Sequence, residues 1–206
     1  MDLITIFTLL ILLFSIIIHE IAHGSIAYAL GDPTAKDAGR LSLNPLVHLD
    51  PIGSILLPLF MALLGGPIIG WAKPVPINPM YFRDKKWGEL EVSLSGPLSN
   101  FTLALVFGLI VKFIALPQSF VTIAAIVIFY NVALGIFNLI PIYPLDGSHV
   151  LFSLLPDRFN DFKIFMAQYG FILLLLLIFI IPNGLNWVFA LADKVLSLFL
   201  GQGMVY

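Results

Sequence analysis

Two histidines and a glutamate interrupt an apolar run near the start of the chain. His19, Glu20 and His23 lie in a stretch that is otherwise almost wholly apolar from Leu3 to Leu30. If this stretch is a helix, residues four positions apart share a face, so both imidazoles point toward one ion. This is the H-E-x-x-H arrangement of zinc hydrolases, in which the histidines bind the metal and the glutamate accepts a proton from the attacking water.

The position of these residues inside a long apolar run makes the motif more specific. The run from Leu3 to Leu30 is long enough to cross a hydrocarbon core of roughly 30 Å as a helix. An ionisable side chain at mid-membrane costs about 2.5 kcal/mol or more, so three of them together indicate a functional site. The alternatives are a satisfied polar cluster between helices, or ligands for a transported proton or ion.

Composition places the chain among membrane proteins. Of its 206 residues 60% are hydrophobic and 11% are charged, and the mean hydropathy is +1.03. These values exclude an ordinary soluble domain and predict an all-α polytopic membrane protein. The net charge of −2 gives no indication of nucleic-acid binding, and the absence of cysteine leaves nitrogen and oxygen as metal ligands. The first apolar segment has no basic n-region and carries the chemistry, so we expect it to be retained.

The hydropathy pattern predicts one domain over residues 1–206 with about six transmembrane helices. The second apolar span contains glycine and proline, so it either crosses imperfectly or is re-entrant. The distribution of basic loop residues indicates one membrane orientation if this span crosses and the opposite orientation if it is re-entrant. The sequence therefore leaves the orientation open. The predicted spans are 3–30, 52–69, 89–115, 120–139 and 164–181, followed by an apolar tail over 186–200.

Two loop segments are expected to be extended or to form short β segments. Residues 41–43 alternate apolar and polar side chains, which predicts a short edge strand. Three prolines alternate with other residues over 73–79, which excludes a helix there. Val75 and Ile77 retain backbone N–H groups that could pair with a substrate strand. A proline-stiffened connecting loop explains the same residues equally well.

A catalytic zinc usually takes three protein ligands and leaves one position for water, so a third ligand is needed. Asp50 and Asp146 are the two carboxylates that border helix ends near apolar spans. We favour Asp146, because prolines and a glycine disrupt the helix over 138–149 without an evident packing gain. An unwound segment of this kind would present a ligand at membrane depth. His48 is another candidate metal ligand, which we favour less than Asp146.

Three other polar residues lie near these segments. Asn138, in the last helical turn before the proline break, is a candidate donor to the oxyanion formed when water attacks a carbonyl. A C-terminal helix cap is an equally good interpretation of Asn138. Asn100 in the third span is predicted to be a buried hydrogen-bonding group between helices rather than a catalytic residue. His149 is expected to be structural or to support the ligands.

Two motifs taken together resemble the signatures of a known family. The H-E-x-x-H motif at 19–23 and the N-x-x-P-x-x-P-x-D-G segment at 138–147 are similar to the paired signatures of the site-2 protease family of intramembrane zinc metalloproteases, peptidase family M50. The Gly-Pro-x-x-Asn motif at 96–100, Gly-x-Leu-x-x-Asn-Pro at 39–45 and Lys-Pro-Val-Pro at 73–76 also resemble it. The resemblance covers nearly the whole chain, and it is to the compact, core-only subgroup without a PDZ or CBS domain.

The resemblance implies a fold, a cofactor and a reaction. It implies that His19, His23 and Asp146 bind one zinc ion per chain and that Glu20 is the general base. The implied reaction is hydrolysis of peptide bonds within or next to the transmembrane segments of membrane-protein substrates. The implied environment is the lipid bilayer, with the chain as a multi-pass protein of the cell membrane, and no nucleic-acid partner is expected.

Other functions make different predictions about the sequence. A metal or proton transporter predicts inverted repeats, and none is visible. A catalytically silent membrane binding protein predicts a degenerate motif, whereas every expected position is filled. A zinc protease with a glutamate as third ligand would have to use Glu89 or Glu91, which lie beside a charged loop.

Overall fold

The structure is a computed structural model that describes residues 3–56, 60, 63 and 72–201. The described part of the chain consists of helices and of non-helical connections, with a π-helical stretch over Pro51–Leu56, and it contains no strand. The helices are α1 (Leu3–Ala29), α2 (Thr34–Asp37), α3 (Lys85–Phe113), α4 (Gln118–Asn138), α5 (Asp146–Leu154), α6 (Asn160–Phe179) and α7 (Asn186–Leu200). The 3₁₀ turns are Pro45–His48, Pro79–Tyr81 and Asp157–Phe159.

Four helical segments of the described chain are long and apolar enough to cross a bilayer, which confirms the polytopic all-α class. They are Leu3–Ala29, Trp87–Phe113, Gln118–Asn138 and Asp157–Phe179. The count of six is not confirmed. The predicted span over 52–69 lies largely outside the described residues. The 15 residues of α7 are fewer than the roughly 20 that a crossing requires.

Large apolar side chains on the outside of α1 and α6 cover the surface that a bilayer would contact. Many of them are exposed, including Leu3, Ile4, Ile172 and Phe179. In water such a continuous apolar surface would be unfavourable, whereas lipid tails solvate it without cost. The interior is therefore organised by polar contacts and small residues rather than by apolar burial alone.

The core of the bundle lies where α3 contacts α1, α4 and α5, and where α4 contacts α7. Apolar residues at four-residue intervals on α7 form one buried stripe, which faces α4. Small residues allow close helix contacts: a Cβ at Gly108 would come within 2.6 Å of the Phe199 ring. The α7 stripe consists of Val188, Ala192, Leu196 and Leu200.

The proline break between α4 and α5 is shorter than predicted. Helix α4 ends at Asn138, the chain turns over 139–145, and α5 begins at Asp146. The prediction was a disrupted helix over 138–149, with Asp146 within the unwound segment. Helix α5 instead begins at Asp146, after extended backbone at Leu145, whose carbonyl accepts both the N–H and the hydroxyl of Ser148.

The predicted edge strand over 41–43 is wrong. These residues form bends, and a 3₁₀ turn follows at Pro45–His48. The His48 ring Nε2 contacts the Ser42 carbonyl at 2.8 Å, so a side chain of the same loop meets the backbone here in place of a partner strand. The segment 72–78 is free of helix, as its prolines predict.

Buried polar groups fasten the segment 72–78 to the loop after α1. The His48 carbonyl accepts the Lys73 N–H at 2.8 Å. The buried Arg40 guanidinium donates to the Lys73 carbonyl and, at 3.3 Å, to the Pro74 carbonyl. Backbone groups that would otherwise be unpaired are thereby satisfied, and the position of the segment is fixed.

Asp32 fastens the other end of this segment. Its carboxylate is fully buried, accepts the Asn78 N–H at 2.6 Å, and accepts the N–H and hydroxyl of Thr34. Burial by itself raises the pKa of Asp32, but the hydrogen bonds from Thr34 and Asn78 outweigh it and hold the pKa below its ordinary value. A carboxyl with a lowered pKa in the folded state stabilises that state above its unfolded pKa, and the stabilisation is lost as the pH falls through the folded pKa.

We predict that Asp32→Ala loosens the segment 72–78. Losing the acceptor of a buried N–H costs about 1–3 kcal/mol, so amide exchange at Asn78 should accelerate roughly 5- to 150-fold. Hydrogen exchange followed by mass spectrometry measures this, with Asp37→Ala, an exposed carboxylate on α2, as the matched control. In the unmodified chain the protection should be constant above about pH 4 and decline below it. Equal protection in Asp32→Ala and Asp37→Ala would contradict this role of Asp32.

Candidate metal centre and active site

Three ligand-type side chains converge where α1 meets the start of α5. His19 Nε2 lies 3.0 Å from Asp146 Oδ2, and His23 Nε2 lies 3.3 Å from Asp146 Oδ1. The two Nε2 atoms are 3.0 Å apart. Within the described ranges this is the one cluster of three or more such residues that could hold a metal ion. Two imidazole nitrogens therefore face the Asp146 carboxylate, and each of them lies close to a different oxygen of it.

Helix α1 presents its two histidines on a single buried row. Ser15, His19, His23 and Ala27 follow one another at four-residue intervals, and all four are buried. Side chains with this spacing lie on one face, so the row packs as a unit against α3. The periodicity that predicted a shared face for the two histidines thus also determines which face of α1 is turned inward.

Each histidine is oriented by a hydrogen bond from its other ring nitrogen. His23 Nδ1 donates to the Val92 carbonyl at 2.7 Å, and His19 Nδ1 donates to Asn100 Oδ1 at 2.7 Å. A carbonyl oxygen only accepts, so the proton of each neutral ring is on Nδ1 and the Nε2 lone pair faces the cluster. Helix α3 supplies both partners.

Gly96 allows α3 to pass directly against the two imidazoles. A Cβ at this position would lie 2.4 Å from His23 Nε2 and 2.5 Å from His19 Nε2. Such distances exclude any side chain, so glycine is required for the approach that brings Asn100 to His19. The Gly-Pro-x-x-Asn motif therefore has a geometric explanation in this site.

A second glycine places Asp146. A Cβ at Gly147 would lie 2.2 Å from the Leu139 carbonyl oxygen, so the start of α5 folds back tightly on the end of α4. The turn over 139–145 reverses the chain, and the missing side chain permits the close contact. Together they direct the Asp146 carboxylate at the histidines on α1.

Glu20 lies beside the cluster and faces a cleft. The cleft has a volume of about 420 Å³, and its lining includes Glu20, both histidines and Asp146. Glu20 Oε2 accepts the Val75 N–H at 2.8 Å. This contact overturns the expectation that the Val75 N–H faces outward for a substrate, because the group is already used to hold the glutamate.

The other sequence candidates occupy different places. Asn138 lines the cleft, and its amide donates to the Leu134 carbonyl of its own helix at 3.0 Å. His149 also lines the cleft. Asp50 accepts the N–H groups of residues 52 and 53 at the start of the π-helical stretch, and the buried His48 contacts its own loop; neither lies in the cluster.

Sequence reasoning missed part of the site. Asn100 was expected to join helices, but its contact with His19 was not foreseen. Asn131 on α4 was not singled out, although it is fully buried and bonded to Asn100 at 2.9 Å. The available signal was an isolated amide in an otherwise apolar span, which is costly unless it is paired.

Comparison with known proteins agrees with this geometry. The family model described as peptidase family M50 matches residues 114–177, a range that includes Asn138 and Asp146. The "Putative zinc metalloprotease YwhC" of Bacillus subtilis (strain 168) is 38% identical over 182 residues, which is 84% of this chain and 80% of the relative.

Two further relatives carry similar names. The "Putative zinc metalloprotease Rip2" of Mycolicibacterium smegmatis is 33% identical over 182 residues, covering 87% of this chain and 68% of the relative. The "Zinc metalloprotease MJ0392" of Methanocaldococcus jannaschii is 31% identical over 91 residues, covering 43% of this chain and 27% of the relative. No solved structure matches the chain with significance.

Helices apolar and long enough to span a membrane, and a cluster of two buried histidines and a half-buried aspartate beside a glutamate, define the class of membrane metalloproteases. The sequence identity to the Bacillus and Mycolicibacterium relatives, 38% and 33% over more than four fifths of this chain, also identifies the family within this class. The chain belongs to peptidase family M50, the site-2 protease family.

We predict that Gly96→Ala prevents divalent-metal binding at the histidine pair. The added methyl group would occupy the space of the two Nε2 atoms, so the imidazoles must move away from Asp146. Metal stoichiometry of the purified protein measures the effect. Ser93→Ala is the control, because Ser93 is on the same helix but outside the cluster of His19, His23 and Asp146, and its hydroxyl donates to the Glu89 carbonyl. Wild-type stoichiometry in Gly96→Ala would show that α3 does not constrain the site in this way.

Proposed function

We propose that this protein is an intramembrane zinc protease of the cell membrane, which hydrolyses peptide bonds within or next to transmembrane segments of membrane proteins. The observation that carries the proposal is the position of the cluster. His19 and His23 lie inside Leu3–Ala29, a helix that is itself long and apolar enough to span a bilayer. A hydrolytic site at that depth serves substrates that are in the membrane.

The donor set fits one zinc ion. Zinc–nitrogen and zinc–oxygen bonds of about 2.0–2.2 Å at tetrahedral angles separate ligand atoms by roughly 3.3–3.5 Å. The two Nε2 atoms lie 3.0 Å apart, and they lie 3.0 Å from Asp146 Oδ2 (His19) and 3.3 Å from Asp146 Oδ1 (His23), close to that spacing. His19, His23 and Asp146 would hold the ion, and their side facing the cleft leaves room for water. When bound, zinc supplies Lewis acidity, which lowers the pKa of water and polarises a carbonyl.

Glu20 acts as the general base. Its carboxylate takes a proton from the attacking water and delivers it to the nitrogen of the departing peptide. The Val75 N–H holds one carboxylate oxygen, which limits rotation of the side chain and keeps the other oxygen available in the cleft. The segment 72–78 is in turn fixed by Arg40, His48 and Asp32, so the base is attached to a rigid support.

Asn138 donates to the oxygen of the carbonyl under attack. The residue lines the cleft together with Asp146, and its amide must exchange the Leu134 carbonyl for the substrate. That exchange is inexpensive at a helix terminus, where the Leu134 carbonyl also has access to other donors. Developing negative charge on the substrate oxygen makes the new hydrogen bond stronger than the one it replaces.

A substrate helix must unwind before it can be cut, because its carbonyls are hydrogen-bonded within the helix. The cleft combines apolar walls, such as Ile77 and Phe82, with polar groups from Glu89 and Ser93. This lining accommodates both water and an unwound peptide. Substrates with glycine, proline or asparagine near the scissile bond are therefore expected, because their helices are weak there.

We predict that His23→Ala and Asp146→Ala lose the zinc that the unmodified protein binds at one ion per chain. Each substitution removes one of three ligands from the cluster. Elemental analysis of the purified variants measures the loss. Asp50→Ala is the matched control, because this carboxylate contacts backbone N–H groups outside the cluster. Full zinc retention in Asp146→Ala with loss in Asp50→Ala would overturn the ligand assignment.

We predict that Glu20→Gln keeps the zinc and the fold but lowers proteolysis by about 10²-fold or more, the usual contribution of a general base. The amide still occupies the place of the carboxylate but does not accept the proton. The assay is cleavage of a transmembrane peptide in liposomes. Glu91→Gln, an exposed carboxylate on α3, is the control and should cleave normally. Near wild-type cleavage by Glu20→Gln would show that Glu20 has a structural role and that the mechanism is wrong.

A further inference from the structure

Two asparagines are fully buried within the helix bundle, and the proposed reaction uses neither. Asn100 on α3 and Asn131 on α4 each have 0% of their surface exposed. A buried amide that lacks partners destabilises a protein by about 1–3 kcal/mol, so such residues persist where their hydrogen bonds are satisfied. Their contacts form one continuous series that begins at backbone carbonyls and ends at His19.

The series has a defined direction because it starts from groups that only accept hydrogen bonds. The Ser15 hydroxyl donates to the Ile11 carbonyl at 2.8 Å, so its oxygen lone pairs are free to accept. Asn131 Nδ2 donates to Ser15 Oγ at 2.9 Å and to the Val127 carbonyl at 2.9 Å. With both of its protons directed at these oxygens, Asn131 has one possible amide orientation, and its Oδ1 faces α3.

The orientation of Asn131 determines that of Asn100. Asn131 Oδ1 accepts from Asn100 Nδ2 at 2.9 Å, and the same Nδ2 donates to the Ser15 backbone carbonyl at 3.3 Å. Both protons of the Asn100 amide are therefore used on the side away from His19. Its Oδ1 is left facing His19 Nδ1 at 2.7 Å, where it accepts a hydrogen bond.

We propose that Asn131 and Ser15 are positioning residues that act through Asn100 to fix the Nδ1-protonated tautomer of His19, which keeps the Nε2 lone pair available to the metal. The inference rests on the proposed zinc site. His23 needs no such series, because its Nδ1 donates directly to the Val92 carbonyl, which cannot be reversed. An amide can rotate by half a turn and offer N–H instead of oxygen, so His19 depends on whatever prevents that rotation.

Loss of Asn131 Oδ1 removes the nearer of the two acceptors that hold the Asn100 amide, at 2.9 Å, and leaves the Ser15 backbone carbonyl at 3.3 Å as the other. A rotated Asn100 would present its NH₂ group to His19 Nδ1, and a donor at that position favours the tautomer with its proton on Nε2. An Nε2–H group does not bind a metal, so each rotated molecule has two effective ligands instead of three. Removing an outer partner of a metal-binding histidine typically lowers metal affinity 10- to 100-fold.

The test is zinc affinity measured by chelator competition on the purified full chain in detergent. Asn131→Leu, which preserves volume but offers no acceptor, should bind zinc 10- to 100-fold more weakly than wild type. X-ray absorption of zinc-loaded Asn131→Leu should show fewer histidine ligands than wild type, which a change in stability alone would not produce.

Ser99→Ala is the matched control, because Ser99 lies next to Asn100 and its hydroxyl donates to the Gly96 carbonyl of its own helix. It should bind zinc normally. Equal zinc affinity in Asn131→Leu and wild type overturns the proposal. If Asn131→Leu does not fold, Ser15→Ala decides: weaker zinc binding supports the relay, and unchanged binding overturns it. A wild-type chain that binds no zinc would instead refute the proposed function.

Discussion

The close approach of α3 to α1 at Gly96 is the contact on which the rest of the site depends. It places the Val92 carbonyl and the Asn100 amide against the two imidazoles, at 2.7 Å each. Any side chain at Gly96 would occupy the position of the Nε2 atoms. The orientation of both histidines is therefore a property of the interface between two helices rather than of the H-E-x-x-H motif itself.

Burial within a bilayer requires that the polar groups at this interface form hydrogen bonds with one another. Water at membrane depth is scarce, so each buried donor and acceptor must find its partner within the protein. The series from Ser15 through Asn131 and Asn100 meets this requirement across three helices. The polar groups that stabilise the bundle and those that orient a ligand are consequently the same groups, which links the stability of the fold to the chemistry of the site.

Segment 72–78 also lines the cleft, and different contacts hold it in place. Segment 72–78 has no regular structure of its own, and Arg40, His48 and Asp32 fix its backbone. Because the Val75 N–H binds Glu20, the loop after α1 supports the position of Glu20, as α3 supports the positions of His19 and His23. Proline keeps this segment non-helical, so its backbone groups remain available for those contacts.

By itself the sequence determined the membrane class, because hydropathy is additive along the chain, and it paired His19 with His23, because a helix has a fixed period. It also singled out Asp146 from the proline and glycine around it. Only the tertiary structure decided that Asp146 faces the histidines, that residues 41–43 form bends, and that Asn131 reaches the site through a second asparagine. Those outcomes depend on the rotation and depth of each helix against its neighbours, and polar contacts between distant residues leave no periodic trace in the sequence.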